Sequence, residues 1–140
     1  MLYLDTSVIV AALTKEINTS RMQAWLGSHR QGTLAISDWV ISEFSAALSI
    51  KLRTAQITPS GRAQALTVFT KLTAESFAVW PVSKNQFGVA AKFADYYTLG
   101  LRAADALHLV VSADHGATLC TLDRRLAEAG NALGVQTLLL

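Results

Sequence analysis

Ten carboxylates are spread along this chain, and four of them stand where an acid does more than face water. Asp5 ends the apolar run Leu2, Tyr3, Leu4 and is followed at once by Thr6 and Ser7. Glu43 falls inside the stripe that Val40, Ile41, Phe44, Ala47, Leu48 and Leu52 draw at helical spacing. Asp105 lies in the first turn of a segment, Leu101 to Ala113, that is apolar on nearly every side. Asp123 sits just past the run Ala117 to Thr121. The other six, Glu16, Asp38, Glu75, Asp95, Asp114 and Glu128, read as polar-face or helix-end residues. An acid on a core-facing stripe must be paired, protonated or metal-bound.

If the four converge, their repulsion needs an answer. Two carboxylates about 5 Å apart repel by roughly 3 kcal/mol at an effective dielectric near 20. Such a cluster either raises pKa values or holds divalent cations, and all-oxygen donors select hard ions such as Mg²⁺ or Mn²⁺. A hard cation that keeps some of its water supplies a nucleophile and neutralises charge on a phosphate, which is the chemistry of phosphodiester cleavage. Taken singly, Asp5, Asp105 and Asp123 also read as helix N-terminal caps, and Glu43 is the hardest to explain that way. Thr6 and Ser7 read as caps too, with one hydroxyl within reach of a metal-bound water, and Thr121 as a group that orients the strand end. Arg102, Arg124 and Arg125 belong to the same region and suit phosphate contacts or, alternatively, solvated helix faces.

Other chemistries find less support. His29, His108 and His115 are not spaced as a zinc site; His108 reads as a packed core histidine and the other two as solvent-facing. No nucleophile elbow, G-x-G-x-x-G or P-loop is present.

The elements that must position the acids follow from the pattern. Strands are predicted over 2–4, 33–36, 77–82, 117–121 and 136–139, and helices over 5–13, 20–29, 38–53, 59–73, 84–97, 101–113 and 123–133. Phe87, Ala90, Ala91 and Ala94 are expected to face inward. Strands separated by helices imply βαβ crossovers and a parallel sheet covered on both faces, an α/β fold. Ligands of such sheets bind at the carboxyl ends of the strands, where helix N-termini also point. All four acids can then lie on one rim.

Length and composition bound the rest. The 140 residues suit one domain, 1–140, able to bury about two-thirds of its unfolded surface. With 51% apolar and 16% charged residues the chain is not disordered, and the apolar excess suggests surface covered by another protein. A net charge of +2 is too small to establish a nucleic-acid partner. Cys120, the only cysteine, excludes an intrachain disulfide and a cysteine metal site and reads as a buried thiol. No leader pattern or membrane-length apolar stretch is seen, so the expectation is a soluble cytoplasmic protein.

Four blocks carry a family resemblance: Leu4-Asp5-Thr6-Ser7, then Ser42-Glu43, then Leu101-Arg102-Ala103-Ala104-Asp105-Ala106-Leu107-His108, then Thr121-Leu122-Asp123-Arg124-Arg125-Leu126. In this order and spacing the chain resembles PIN domains, and more closely the VapC-type toxins of toxin–antitoxin pairs. The third block is the most specific. The resemblance implies a three-layer α/β/α fold on a five-stranded parallel sheet of order 3-2-1-4-5. It also implies a Mg²⁺- or Mn²⁺-dependent endoribonuclease acting on structured RNA such as tRNA or rRNA. Asp5, Glu43 and Asp105 would be the principal metal ligands and Asp123 a fourth acid for a second metal or a supporting role. Such proteins form homodimers and are held inactive by a VapB-type antitoxin, in heterotetramers or larger assemblies. Residues 54–80 match no block of the family and are expected to help form the groove for substrate and antitoxin.

Two other readings compete. A non-catalytic RNA- or protein-binding module would keep the acids without the chemistry. A phosphotransfer domain using Asp5 as nucleophile would want a second acid where Ser7 stands.

Overall fold

The computed structural model describes residues 1–140. Strand β1 (Leu2–Leu4) leads into α1 (Thr6–Leu13) and α2 (Thr19–Gly27), and β2 (Leu34–Ser37) into α3 (Asp38–Arg53) and α4 (Pro59–Glu75). After β3 (Ala78–Trp80) come α5 (Lys84–Ala94), a single 3₁₀ turn (Tyr97–Leu99) and α6 (Ala103–Asp114). The chain closes with β4 (Thr118–Thr121), α7 (Arg124–Ala132) and β5 (Thr137–Leu139).

All five strands are parallel, in the order β3-β2-β1-β4-β5. The first half of the chain steps outward from β1 in one direction, and the second half returns to pair β4 on the other side of β1. Right-handed crossovers then place α1–α4 on one face and α5–α7 on the other, a three-layer α/β/α arrangement. Both neighbours of β1 are strands, so Tyr3 and Leu4 are fully buried, as central strands of a parallel sheet must be. The edge strands are different: Val79 on β3 and Leu138 on β5 are 36% and 39% exposed.

Register sets the polar edge of the sheet. Tyr3 pairs with Ala35 and with Leu119, and Leu4 with Cys120. Two residues on from Tyr3 and Ala35, Asp5 comes level with Ser37. One residue on from Leu4 and Cys120, it comes level with Thr121, and the Asp5 N–H still donates to the Cys120 carbonyl at 3.1 Å. Asp5, Ser37 and Thr121 therefore form a polar row where the sheet ends, at the point where the strand order reverses. Cys120 is a buried thiol, pushed up to about 12 by desolvation with the nearby Asp5 charge adding to it.

Several expectations shift in detail. Helix α5 stops at Ala94 rather than Tyr97, and Tyr96 and Tyr97 stand 59% and 87% exposed. With no apolar neighbour for those rings, another helical turn there has nothing to bury. Phe87 and Ala91, expected inward, are exposed, Phe87 at 52%, and Ile41 lies 37% exposed at the margin of the α3 stripe. Val40, Phe44 and Leu48 in the middle of that stripe are fully buried. Periodicity marks an apolar face but does not say whether the same chain covers all of it.

Candidate active site

Asp5 is the most enclosed acid, 4% exposed. It leaves β1 in an extended conformation (φ −77°, ψ 171°) and caps α1, its Oδ1 accepting the Val8 N–H at 3.3 Å. Ser7 donates to the same Oδ1 at 2.5 Å, and Thr121 to Oδ2 at 2.6 Å. Both hydroxyls are fixed in turn by backbone donors: Ser7 accepts the Leu122 N–H and Thr121 the Asp123 N–H. No lysine or arginine pairs with Asp5. Burial pushes its carboxyl above the ordinary value; the field of His108 and the hydrogen bonds from Ser7, Thr121 and the Val8 amide only partly offset that.

Glu43 lies beside it. Thr6, the residue after Asp5, donates to Glu43 Oε2, and His108 Nε2 lies 2.7 Å from the same oxygen. Burial works against the ionised form of Glu43. The His108 hydrogen bond and charge, with the Thr6 hydroxyl, outweigh it and hold the carboxyl below its ordinary range.

The other two acids are held differently. Asp105 Oδ2 accepts the Arg102 N–H at 3.1 Å at the start of α6. Asp123 caps α7, with Oδ1 accepting the N–H groups of Arg125 at 2.8 Å and Leu126 at 3.3 Å. Asp105 and Asp123 line one small cleft with Arg102 and Arg125. Neither arginine forms an ion pair with them. Arg125 Nη2 reaches the Gly100 carbonyl at 3.4 Å. Gly100 itself sits at φ +63°, a turn conformation that favours glycine, and a Cβ there would stand 2.8 Å from that guanidinium and displace it. Arg124 is exposed and does not line the cleft.

The four acids thus form a circuit rather than a single point. Glu43 is held by Thr6, the chain neighbour of Asp5; Thr121 bonds the Asp5 carboxylate and accepts the Asp123 backbone N–H; Asp123 shares a cleft with Asp105; and Asp105 is one α6 turn from His108, which returns to Glu43. No three acidic, histidine or cysteine side chains gather at the spacing of a closed metal site. Mutually repelling carboxylates are each turned to their own donors instead.

The donor set nonetheless fits a hard cation. Every candidate ligand is a carboxylate oxygen, and one oxygen on each of three acids, Glu43 Oε1, Asp105 Oδ1 and Asp123 Oδ2, accepts no hydrogen bond from the protein. Asp5 adds a buried charge with no lysine or arginine partner, which an adjacent divalent cation would stabilise.

Sequence reasoning missed three polar residues here. His108 is indeed packed in the core, 3% exposed, but it also grips Glu43, and Tyr3 and Ser37 stand behind it. The available signal was a histidine on a helix apolar all round, which must find a partner.

The PIN domain family profile matches residues 2–132, and the chain belongs to that family, whose members are generally nucleases. VapC20 of Mycobacterium tuberculosis, a sarcin–ricin-loop-cleaving toxin, superposes with a TM-score of 0.77 at 15% identity over 93% of this chain and 95% of that one. FitAcB from Neisseria gonorrhoeae gives 0.70 at 23% identity over 98% and 96%. A toxin–antitoxin complex from Klebsiella pneumoniae gives 0.66 at 15% over 91% and 90%. At such identities the likeness is one of fold. No curated protein matches the chain significantly.

Proposed function

We propose that this chain is a divalent-metal-dependent endoribonuclease of the VapC toxin type, acting on structured RNA such as tRNA or rRNA and neutralised by a VapB-type antitoxin. The observation that carries it is Asp5: a buried carboxylate with no lysine or arginine partner at the strand-order reversal, held by the Thr121 hydroxyl that also accepts the Asp123 N–H, and followed by Thr6, whose hydroxyl holds Glu43. Asp5, Glu43 and Asp105 would hold Mg²⁺ or Mn²⁺, with Asp123 as a fourth acid. When bound, the cation supplies Lewis-acid activation of water and neutralisation of phosphate charge. Ser7 and Thr121 keep Asp5 in one orientation, and Thr6 and His108 do the same for Glu43. Arg102 and Arg125, free of carboxylate partners, meet backbone phosphates at the cleft mouth. Attack of water at phosphorus with loss of the 3′ oxygen leaves a 5′-phosphate and a 3′-hydroxyl.

Protein partners have surface to use. A groove between α1, α2 and α4 is lined by Leu13, Ile57, Ala65 and Val68 among polar residues, several of them from the stretch 54–80. A second groove, bordered by Trp39, Phe87, Ala91 and Leu107, is wholly apolar. These surfaces, and the occurrence of this fold in a toxin–antitoxin complex, support an antitoxin partner; a homodimer in the cytoplasm belongs to the same proposal. No helix is long and apolar enough to cross a membrane.

Incubation with total RNA and Mn²⁺ tests the reading: discrete fragments with 5′-phosphate ends that vanish with EDTA are expected, and full cleavage in excess EDTA would contradict it. A non-catalytic PIN module is favoured by one observation, that no three acids stand together; RNA binding without cleavage at any metal concentration would select it.

A further inference from the structure

Glu43 is the acid that its own backbone constrains least, since it projects from the second turn of α3 with its side chain 23% exposed. What fixes it is a line of hydrogen bonds from other elements. Ser37 Oγ at the end of β2 lies 2.7 Å from the Tyr3 hydroxyl, Tyr3 lies 3.0 Å from His108 Nδ1, and His108 Nε2 lies 2.7 Å from Glu43 Oε2. Ser37, Tyr3 and His108 are all buried.

The protons in this line are constrained. An ionised carboxylate only accepts, so Nε2 carries hydrogen whatever the charge on the ring. With a neutral ring, Nδ1 accepts from Tyr3 and Tyr3 accepts from Ser37. With a charged ring, both of those bonds reverse. Desolvation by burial, only partly offset by the Ser37 bond, keeps the Tyr3 phenol well above its usual range, so it adds no second anion behind Glu43. In both arrangements Oε2 receives the imidazole and the Thr6 hydroxyl, and Oε1 accepts no hydrogen bond, the buried Trp39 indole N–H adding only a weaker attraction to the carboxylate. Rotating the carboxylate would break two charge-assisted bonds at once.

We propose that His108 is the positioning residue for Glu43: by holding Oε2 from Nε2 it aims Oε1 at the rim shared with Asp5 and so sets the affinity of the site for a divalent cation. This rests on the metal-dependent reading above. The mechanism is that of an outer partner orienting a metal ligand, where loss of the partner costs about 10- to 100-fold in affinity.

The test is Mn²⁺ titration by calorimetry on the full chain, comparing wild type, Asp5→Asn, His108→Gln and His108→Asn, with thermal melts of each. The Gln amide reaches the place of Nε2 and can donate to Glu43; the Asn amide reaches only the place of Nδ1 and can satisfy Tyr3 alone. His108→Gln is expected to bind Mn²⁺ within a few-fold of wild type and His108→Asn about 10- to 100-fold more weakly, while their melting points stay close. A merely structural histidine predicts equal affinities for the pair, and that result overturns the proposal. A long-range ¹H–¹⁵N spectrum showing no hydrogen on His108 Nε2 overturns it too. If wild type binds Mn²⁺ no better than Asp5→Asn, the metal-dependent reading fails and takes this inference with it. If wild type binds well and His108→Asn binds equally well, only the inference fails.

Discussion

The acids of this protein fall into two halves held by different physics. Glu43 is secured by side chains far away in sequence, and Asp5 by one such side chain besides its local bonds to Ser7 and the Val8 amide: Thr121 lies 116 residues from Asp5, and His108 and Thr6 lie 65 and 37 from Glu43. Asp105 and Asp123 are secured by amides two or three residues away at the starts of α6 and α7. The Thr121, Thr6 and His108 bonds of the first half form only when the sheet and both helical layers come together. The second half comes with its own helices. An acid in the open half therefore serves its helix even if no chemistry takes place. An acid in the buried half costs desolvation, and such a cost is best explained by function.

The strongest way to break this contrast is Asp5→Asn. It should lower RNA cleavage at least about 100-fold, the several kcal/mol expected for a lost hard-cation ligand. The metal-free variant should melt at or above the wild-type temperature, because a desolvated charge has been removed. A cleavage assay beside a thermal melt checks both. Next in size is Thr121→Val, which leaves Asp5 Oδ2 buried without its donor and should destabilise by about 1–3 kcal/mol in urea unfolding.

The open half is expected to behave in the opposite way. Asp123→Ala should cost about 1 kcal/mol through the lost α7 cap, and Asp123→Ser should recover most of that stability by capping with a hydroxyl. If the Ser variant still cleaves more weakly than wild type, the carboxylate has a chemical role beyond the cap. If it cleaves fully, Asp123 is a cap alone.

The smallest effect is in pH, where Asp5 and Glu43 have opposite signs. The lowered Glu43 value contributes stability that is present above the unfolded glutamate pKa and is lost as pH falls through the folded value. The raised Asp5 value makes its charge a cost at neutral pH, relieved as pH falls through that value. Urea titrations of the metal-free protein from pH 7 to pH 3 should show acid destabilisation flattened by Glu43→Gln and steepened by Asp5→Asn. Identical profiles for the two variants would remove the distinction.

Much of this was legible beforehand. The alternation of short apolar runs with helical stripes announced a parallel α/β sheet, and the strand order implied by the family resemblance is the observed one. Asp5 stood out as a carboxylate ending an apolar run, and Glu43 as an acid inside an apolar stripe. The division of the acids into two halves was not legible, because it depends on which donors reach them across the sheet. His108 shows the limit well: its buried helix was evident, but its partner is an acid on another helix. Phe87 shows another, since its helical spacing marked it as apolar-facing although the chain leaves it 52% exposed.

On the proposed function, Asp5 and the free oxygens around it form a site for a hard divalent cation. Crystals of the full chain grown with Mn²⁺ and measured for anomalous scattering test it most directly. The prediction is a peak at the carboxyl end of β1, within about 2.0–2.6 Å of an Asp5 oxygen and in contact with Glu43 Oε1 or Asp105 Oδ1, absent from Asp5→Asn crystals. No peak on that rim at saturating Mn²⁺, or an equal peak in Asp5→Asn, would contradict it.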